Sequence, residues 1–251
     1  MNSAKMSPDR LSNFKLSRQA IVERSCALWG SEIQINSTSN LHDLPHALHR
    51  EYCDSLEYVY GEALKRITAR SAQAKDTLTL APRQSVMHTF FRIDQPVLMI
   101  EDTLKQLIQT ANALEKYQHK LVVSVDNPLD SLPGPLERRA MVRQLYALKD
   151  HCGVKLAYNN YKLDTKQGDL LIELELYDYI KMPFPDSALR LNVNTHSDLF
   201  DRLYERMLQL ISNAKVSFIA DSVEFADTAL LAKHLPFDYF QGGYYSSAEN
   251  F

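Results

Sequence analysis

Polar and ionisable side chains recur where the short apolar segments of this sequence end. Carboxylates at such positions could bind a divalent cation, whereas a lysine, an arginine or an amide could contact a phosphate or a base. Whether these side chains meet depends on the elements that carry them. The positions are Glu32, Arg92, Ser124, Asn159, Asn160, Lys181, Asp221, Glu224 and Gln241.

A second set has the spacing of soft metal ligands. If all four of its members lay on one helix, they would form a stripe that could bind zinc. However, Asp43 and Pro45 mark a helix start, which leaves the first histidine outside the helix. We therefore favour an exposed helix face over a metal site. The set is His42, His46, His49 and Cys53.

The elements alternate along the chain. Residues 14–23 and 28–35 read as two strands joined by a short turn, which predicts an antiparallel hairpin. Residues 52–67 repeat apolar side chains at helical spacing, and strands and helices then follow in turn. Further strands are predicted at 86–93, 121–125, 154–158, 177–182, 216–220 and 237–240, and further helices at 104–114, 141–148, 199–211 and 224–234.

This alternation predicts a parallel sheet, because each parallel crossover needs a connection of helix length. Seven to eight strands in about 240 residues is the size of an α/β barrel, whose functional residues lie at the carboxyl ends of the strands. We therefore expect one domain over residues 14–251. Residues 1–13 form a polar leader, and the sequence does not decide whether this leader is ordered or disordered.

Composition narrows the class of protein. The 251 residues contain 28 Lys plus Arg against 31 Asp plus Glu, a formal net charge of −3, which argues against direct nucleic-acid binding. The 3 cysteines suit free thiols in a reducing compartment. No run approaches the roughly 20 apolar residues that cross a bilayer. We expect a cytoplasmic protein without membrane contact.

Read in order, five segments resemble the EAL domain family. Its active members are bacterial barrel phosphodiesterases that linearise cyclic di-GMP with two divalent metal ions, and their first strand runs antiparallel to the rest. The resemblance implies a TIM-like (β/α)8 barrel. The segments are Ser17-Arg18-Gln19-Ala20-Ile21-Val22, Gly30-Ser31-Glu32-Ile33-Gln34, Tyr177-Asp178-Tyr179-Ile180-Lys181-Met182, Ala220-Asp221-Ser222-Val223-Glu224, and Asp238-Tyr239-Phe240-Gln241-Gly242 with Tyr244-Tyr245-Ser246.

The departures from the family pattern bear on its chemistry. Glu32, Lys181 and Glu224 are kept and are vestigial under this interpretation, while Asn36 stands where the family has a phosphate-contacting arginine. Two-metal hydrolysis needs bridging carboxylates to hold the ions about 3.5–4 Å apart. An arginine at about 4 Å would repel a divalent ion by roughly 8 kcal/mol at an effective dielectric of about 20. The degenerate metal positions are Arg92, Ser124, Asn159, Asn160 and Asp221.

We therefore expect no catalytic metal, no cofactor and no phosphodiesterase activity, with Glu32 instead paired to Arg92 or Lys181. The resemblance implies a regulator that binds a protein, such as a transcription regulator or a signalling protein, in motility or biofilm control. A homodimer stays open. A non-enzymatic cyclic di-GMP receptor is the first alternative, and a weak phosphodiesterase using Mn²⁺ is the second. The receptor would use Gln19, Glu32, Arg92, Lys181 and Gln241.

Overall fold

A computed structural model describes residues 14–37, 49–77, 86–126, 134–162, 166–184 and 198–251. The polar leader at 1–13 lies outside these residues, as do His42 and His46 of the histidine set. No helix in the described part of the chain is long and apolar enough to cross a membrane.

The strands close into a barrel. The first two form the expected antiparallel hairpin, and strands two to eight follow one another in parallel around the ring until the eighth meets the first. The prediction of a (β/α)8 barrel with an antiparallel first strand is confirmed. The strands are β1 (Phe14–Glu23), β2 (Leu28–Ser37), β3 (Met87–Ile93), β4 (His119–Asp126), β5 (Lys155–Asn159), β6 (Tyr179–Pro183), β7 (Ser217–Asp221), β8 (Tyr239–Phe240) and β9 (Glu249–Asn250).

Helices pack around the outside of the barrel. The sequence pattern missed one of them, α4, as well as a 3₁₀ turn at Gln95–Met99 and the two-residue strand β9. Strand β6 begins two residues later than predicted, and Tyr177 is instead buried among the outer side chains. The helices are α1 (His49–Thr77), α2 (Glu101–Glu115), α3 (Pro135–Cys152), α4 (Lys166–Glu173), α5 (Asp198–Ala214) and α6 (Ala226–Lys233).

Apolar side chains fill two separate clusters. The larger lies between strands and helices and takes alternate strand residues such as Phe91 and Val123. The smaller fills the barrel interior, with the intervening residues of the same strands. Its buried members are Ile21, Trp29, Phe90, Val122, Ala157 and Ile219, and Tyr179 and Tyr239 pack against them.

Trp29 enters the barrel interior because of a β-bulge. Ile21 pairs with Gly30 and Val22 pairs with Leu28, so Trp29 is the extra residue between them. Its ring stacks on Tyr239 with centroids 3.6 Å apart and on His88 at 4.2 Å. These three rings close the amino-terminal end of the barrel, which leaves the carboxyl end of the strands as the place for a site.

Candidate functional site

The period of two along each strand brings the polar side chains together. Each lies two positions after a residue whose side chain belongs to or packs on the interior cluster, and therefore faces the interior one layer nearer the carboxyl end. We call this end of the barrel the mouth. The pairs are Phe90 and Arg92, Val122 and Ser124, Ala157 and Asn159, Tyr179 and Lys181, Ile219 and Asp221, and Tyr239 and Gln241.

The Glu32 carboxylate is the centre of the mouth and is surrounded by donors. Its Oε2 accepts hydrogen bonds from Lys181 Nζ at 2.6 Å, from Gln34 Nε2 at 2.7 Å and from Gln241 Nε2 at 3.0 Å. Its Oε1 lies 3.3 Å from Ser124 Oγ. Both oxygens are therefore engaged by the protein's own side chains.

The ion pair between Glu32 and Lys181 is sealed from solvent, because both side chains are 0% exposed. Burial alone would raise the pKa of Glu32. The Lys181 charge and the hydrogen bonds from Lys181, Gln34 and Gln241 outweigh that effect and lower the pKa below its usual value. Glu32 is thus held as a carboxylate. Of the two partners that the sequence offered for it, Arg92 and Lys181, the structure pairs it with Lys181.

Ser124 and Asn159 extend the network towards β5. Ser124 Oγ lies 2.7 Å from Asn159 Oδ1 as well as near Glu32, yet a hydroxyl has a single proton to donate. Asn159 Nδ2 is buried and has no hydrogen-bond partner among the described residues. Turning the amide over would let Nδ2 donate to Ser124 and leave the hydroxyl proton for Glu32. Either orientation presents a neutral amide where the resemblance implies a carboxylate.

Gln19 and Gln241 link the other side of the network to β1. Gln241 Nε2 donates to Gln19 Oε1 at 3.1 Å as well as to Glu32, while Gln19 Nε2 donates to the Ser246 carbonyl at 3.0 Å. Because the Gln241 nitrogen faces two acceptors, its orientation is fixed. Its Oε1 is left buried without a partner in the described part of the chain.

The remaining predicted residues flank this network. Asp221 is 16% exposed, with Oδ2 at 3.5 Å from Lys181 Nζ. Arg92 is half-buried and pairs in register with Ser124. Asn160 follows β5 with a φ of 55°. Glu224 is exposed and accepts a hydrogen bond from the Gly243 N–H at 3.2 Å.

Sequence reasoning missed Gln34 as a member of the site. The signal was present, since residues two apart on a strand face the same side and Gln34 is two residues after Glu32. Of the five residues predicted to bind a ligand, the structure joins Gln19, Glu32, Lys181 and Gln241 in one hydrogen-bonded network and places Arg92 beside it.

Solved structures share this architecture. The EAL domain of FimX from Xanthomonas citri, in complex with cyclic di-GMP, matches with a TM-score of 0.67 at 13% identity, over 96% of this chain and 90% of that one. YkuI from Bacillus subtilis, with an EAL domain and in complex with cyclic di-GMP and calcium, has a TM-score of 0.66 at 17% identity, over 97% and 56%. The EAL enzyme Bd1971, bound to cAMP and cyclic di-GMP, has a TM-score of 0.66 at 13% identity, over 96% and 63%.

The chain adopts the EAL domain fold. It spans less than two thirds of the length of Bd1971 and of YkuI. No protein-family model and no curated protein matches it.

The described residues of this EAL-fold chain do not present the donor set that two hard divalent ions need. Mg²⁺ and Ca²⁺ bind oxygen ligands, several of them anionic, and the carboxylates described in or against the hydrogen-bonded network are Glu32, which is paired with Lys181, and Asp221. The lysine ammonium already lies on Glu32 and near Asp221. Within the described residues, no group of three or more His, Cys, Asp or Glu is placed to hold a metal. The described residues therefore do not fit the two metals that the resemblance implies.

Proposed function

We propose that this chain is a non-catalytic EAL-fold protein that acts as a regulator through contacts with another protein, in signalling that involves cyclic di-GMP. One observation carries the proposal: the Glu32 carboxylate is neutralised by Lys181 inside the barrel. A carboxylate used in this way stabilises the fold and is not free to bind a metal ion. Under this proposal the chain keeps the barrel fold, and contacts among its own side chains take the place of the metal ligands.

The first test is for phosphodiesterase activity. The full chain is incubated with cyclic di-GMP and either Mg²⁺ or Mn²⁺, and linear product is measured beside an active EAL phosphodiesterase. We expect none. Turnover by the native chain that the Glu32→Ala variant abolishes would establish the weak phosphodiesterase instead.

The second test separates a regulator from an enzyme in the cell. A deletion in the native host is complemented with the double variant Glu32→Gln, Lys181→Met, which removes the buried ion pair between these two side chains. A protein that works through its outer surface should restore motility or biofilm formation as well as the native chain does. If a stably folded double variant fails to complement, the mouth itself is needed and the proposal is wrong.

A cyclic di-GMP receptor is the second candidate. It is favoured by the FimX EAL domain structure, which is a complex with cyclic di-GMP, and by the half-buried Arg92 at the mouth, whose guanidinium could contact a phosphate. Such a ligand must compete with the internal contacts of Gln19, Glu32, Lys181 and Gln241. Binding would therefore be weaker than at a preorganised site.

Calorimetry decides between the two candidates. Cyclic di-GMP is titrated into about 100 μM protein, which detects micromolar binding, with and without Mg²⁺. Heat in both conditions, reduced in an Arg92→Ala variant, would support the receptor. Absence of heat eliminates it and leaves the protein-binding regulator.

A further inference from the structure

The barrel is closed unevenly at β1. One edge of β1 pairs with β2 from Phe14 to Val22, but on the other edge β8 pairs only with Val22 and Glu23. Further along that edge, residues 16–18 are paired with part of residues 246–251, which we call the strap. Within it, Glu249 and Asn250 pair with Arg18 and Ser17, and the Phe251 N–H donates to the Leu16 carbonyl at 2.9 Å.

The strap is connected to the mouth by a continuous chain of hydrogen bonds. Ser246 offers its carbonyl to Gln19 Nε2, Gln19 Oε1 accepts from Gln241 Nε2, and Gln241 Nε2 also donates to Glu32 Oε2. A movement of the strap therefore removes one of the two partners that fix Gln19. Through Gln19 it loosens Gln241 beside Glu32.

The strap itself is lightly held. Residues 247–250 are exposed, and the strap is anchored mainly by the half-buried Phe251 ring, which packs on the larger apolar cluster with the Arg70 guanidinium 4.3 Å from its centroid. Segments with few buried contacts open locally at a lower free energy than the core of a fold. The strap is therefore expected to detach from β1 while the extensively paired β1–β2 hairpin stays in place.

We propose that the strap is an autoinhibitory closure of the mouth. While it is paired with β1, it holds Gln19 against Gln241, and the hydrogen bonds around Glu32 exclude a ligand from the mouth. When it detaches, the Gln19 amide and the buried acceptor of Gln241 become accessible to a ligand. The proposal rests on the second candidate function, the cyclic di-GMP receptor, only for what would enter the open mouth. The closure itself is measured without any nucleotide.

Hydrogen exchange of the full chain tests the closure. In the Phe251→Ala variant we expect amides of residues 241–246 to exchange about tenfold faster, because the strap and this segment open together, while amides of 30–34 in the β1–β2 hairpin stay protected. The matched control is Phe225→Ala, which removes another phenylalanine, 59% exposed and outside the strap. Acceleration confined to residues 247–251, or equal acceleration in the control, would overturn the proposal.

A second variant keeps the test decisive if Phe251→Ala affects folding. Gln19→Leu leaves Phe251 and Arg70 in place and removes only the side chain that joins the strap to Gln241. It should speed exchange at 241–246 as the first variant does. Native-like exchange there would show that the strap and the mouth are not coupled. A nucleotide titration without heat would rule out the receptor and leave these exchange results unchanged, so the closure and the receptor function are tested separately.

Discussion

Lys181 Nζ lies 2.6 Å from Glu32 Oε2, and the two side chains come from opposite sides of the barrel. Their strands, β6 and β2, are four places apart in a ring of eight described strands. The ion pair therefore spans the interior and joins the two halves of the mouth. No solvent reaches either group, so neither charge is stabilised by water once the other is removed.

Removal of one partner should therefore cost more than removal of both. Glu32→Gln or Lys181→Met alone leaves an uncompensated buried charge, and each is expected to lower the free energy of unfolding by about 3–5 kcal/mol. The double variant should lose clearly less than the sum of the two. Urea unfolding at pH 7 measures all three in one double-mutant cycle. Additive losses would mean that the two charges do not stabilise one another.

The same pair predicts how stability depends on acid. The pKa of Glu32 is lowered in the fold, so its contribution is fully present above the unfolded value of 4.5 and is lost as the pH falls through the folded value. The native chain should lose stability below pH 4.5 more steeply than Glu32→Gln does. Unfolding free energies at a series of pH values, with the variant as control, check this. Parallel curves would contradict it.

How far the sequence predicts this site can be judged from individual residues. The sequence predicts Glu32, Lys181 and Gln241 at strand ends because the alternation of side chains along a strand and the order of strands in a barrel can both be inferred from the pattern of apolar residues. Trp29 was not, because a bulge adds one residue and reverses the face of the side chain without changing the pattern of apolar residues.

Helix α4 was missed for a different reason. It has only eight residues and includes Gly168, so its apolar repeat is too short to stand out. The choice of Lys181 as the partner of Glu32 also depended on three-dimensional distance. Sequence placed two cations near the mouth and gave no means of ranking them.

His88 predicts a second, separate acid response at the other end of the barrel. Burial, followed by the charges of Lys155 and Lys120, lowers its pKa from 6.5 to about 4, against a hydrogen bond that the ring donates to the Val86 backbone and that raises the pKa. Its ring also contacts Trp29 and Tyr179. The fold favours the neutral ring, whereas the unfolded chain protonates it below about pH 6.5. The free energy of unfolding should therefore fall as the pH drops from 6.5 to about 4.

The chain's 1 tryptophan reports this event directly, because Trp29 stacks on His88. The matched variant is His88→Phe, which keeps an aromatic ring in the stack and removes the titrating group. Trp29 emission should change with pH in the native chain before unfolding and stay flat in the variant. If Trp29 emission in the variant still changed with pH as it does in the native chain, the titration would belong to another group.

Gly242, directly after Gln241, should tolerate no side chain. Its φ is +147°, and a Cβ there would overlap the backbone of Val223. Gly242→Ala is expected to cost about 2 kcal/mol or more. Gly243→Ala is the matched control, since its Cβ would meet only the movable Glu224 carboxylate and should cost below about 1 kcal/mol. Thermal unfolding of both variants gives the comparison, and equal losses would contradict this assignment of strain.

The final prediction concerns what the mouth lacks. If missing negative charge is what prevents metal binding, then Arg92→Asn, Ser124→Glu, Asn159→Asp and Asn160→Asp introduced together should create Mn²⁺ binding that calorimetry detects, because they remove a cation and add three carboxylates. The control adds Glu32→Gln to the same four changes and should weaken that binding by at least about tenfold. Two Mn²⁺ ions bound by the native chain as tightly as by the fourfold variant would show that Glu32 is available despite Lys181, and the non-catalytic assignment would fall with it.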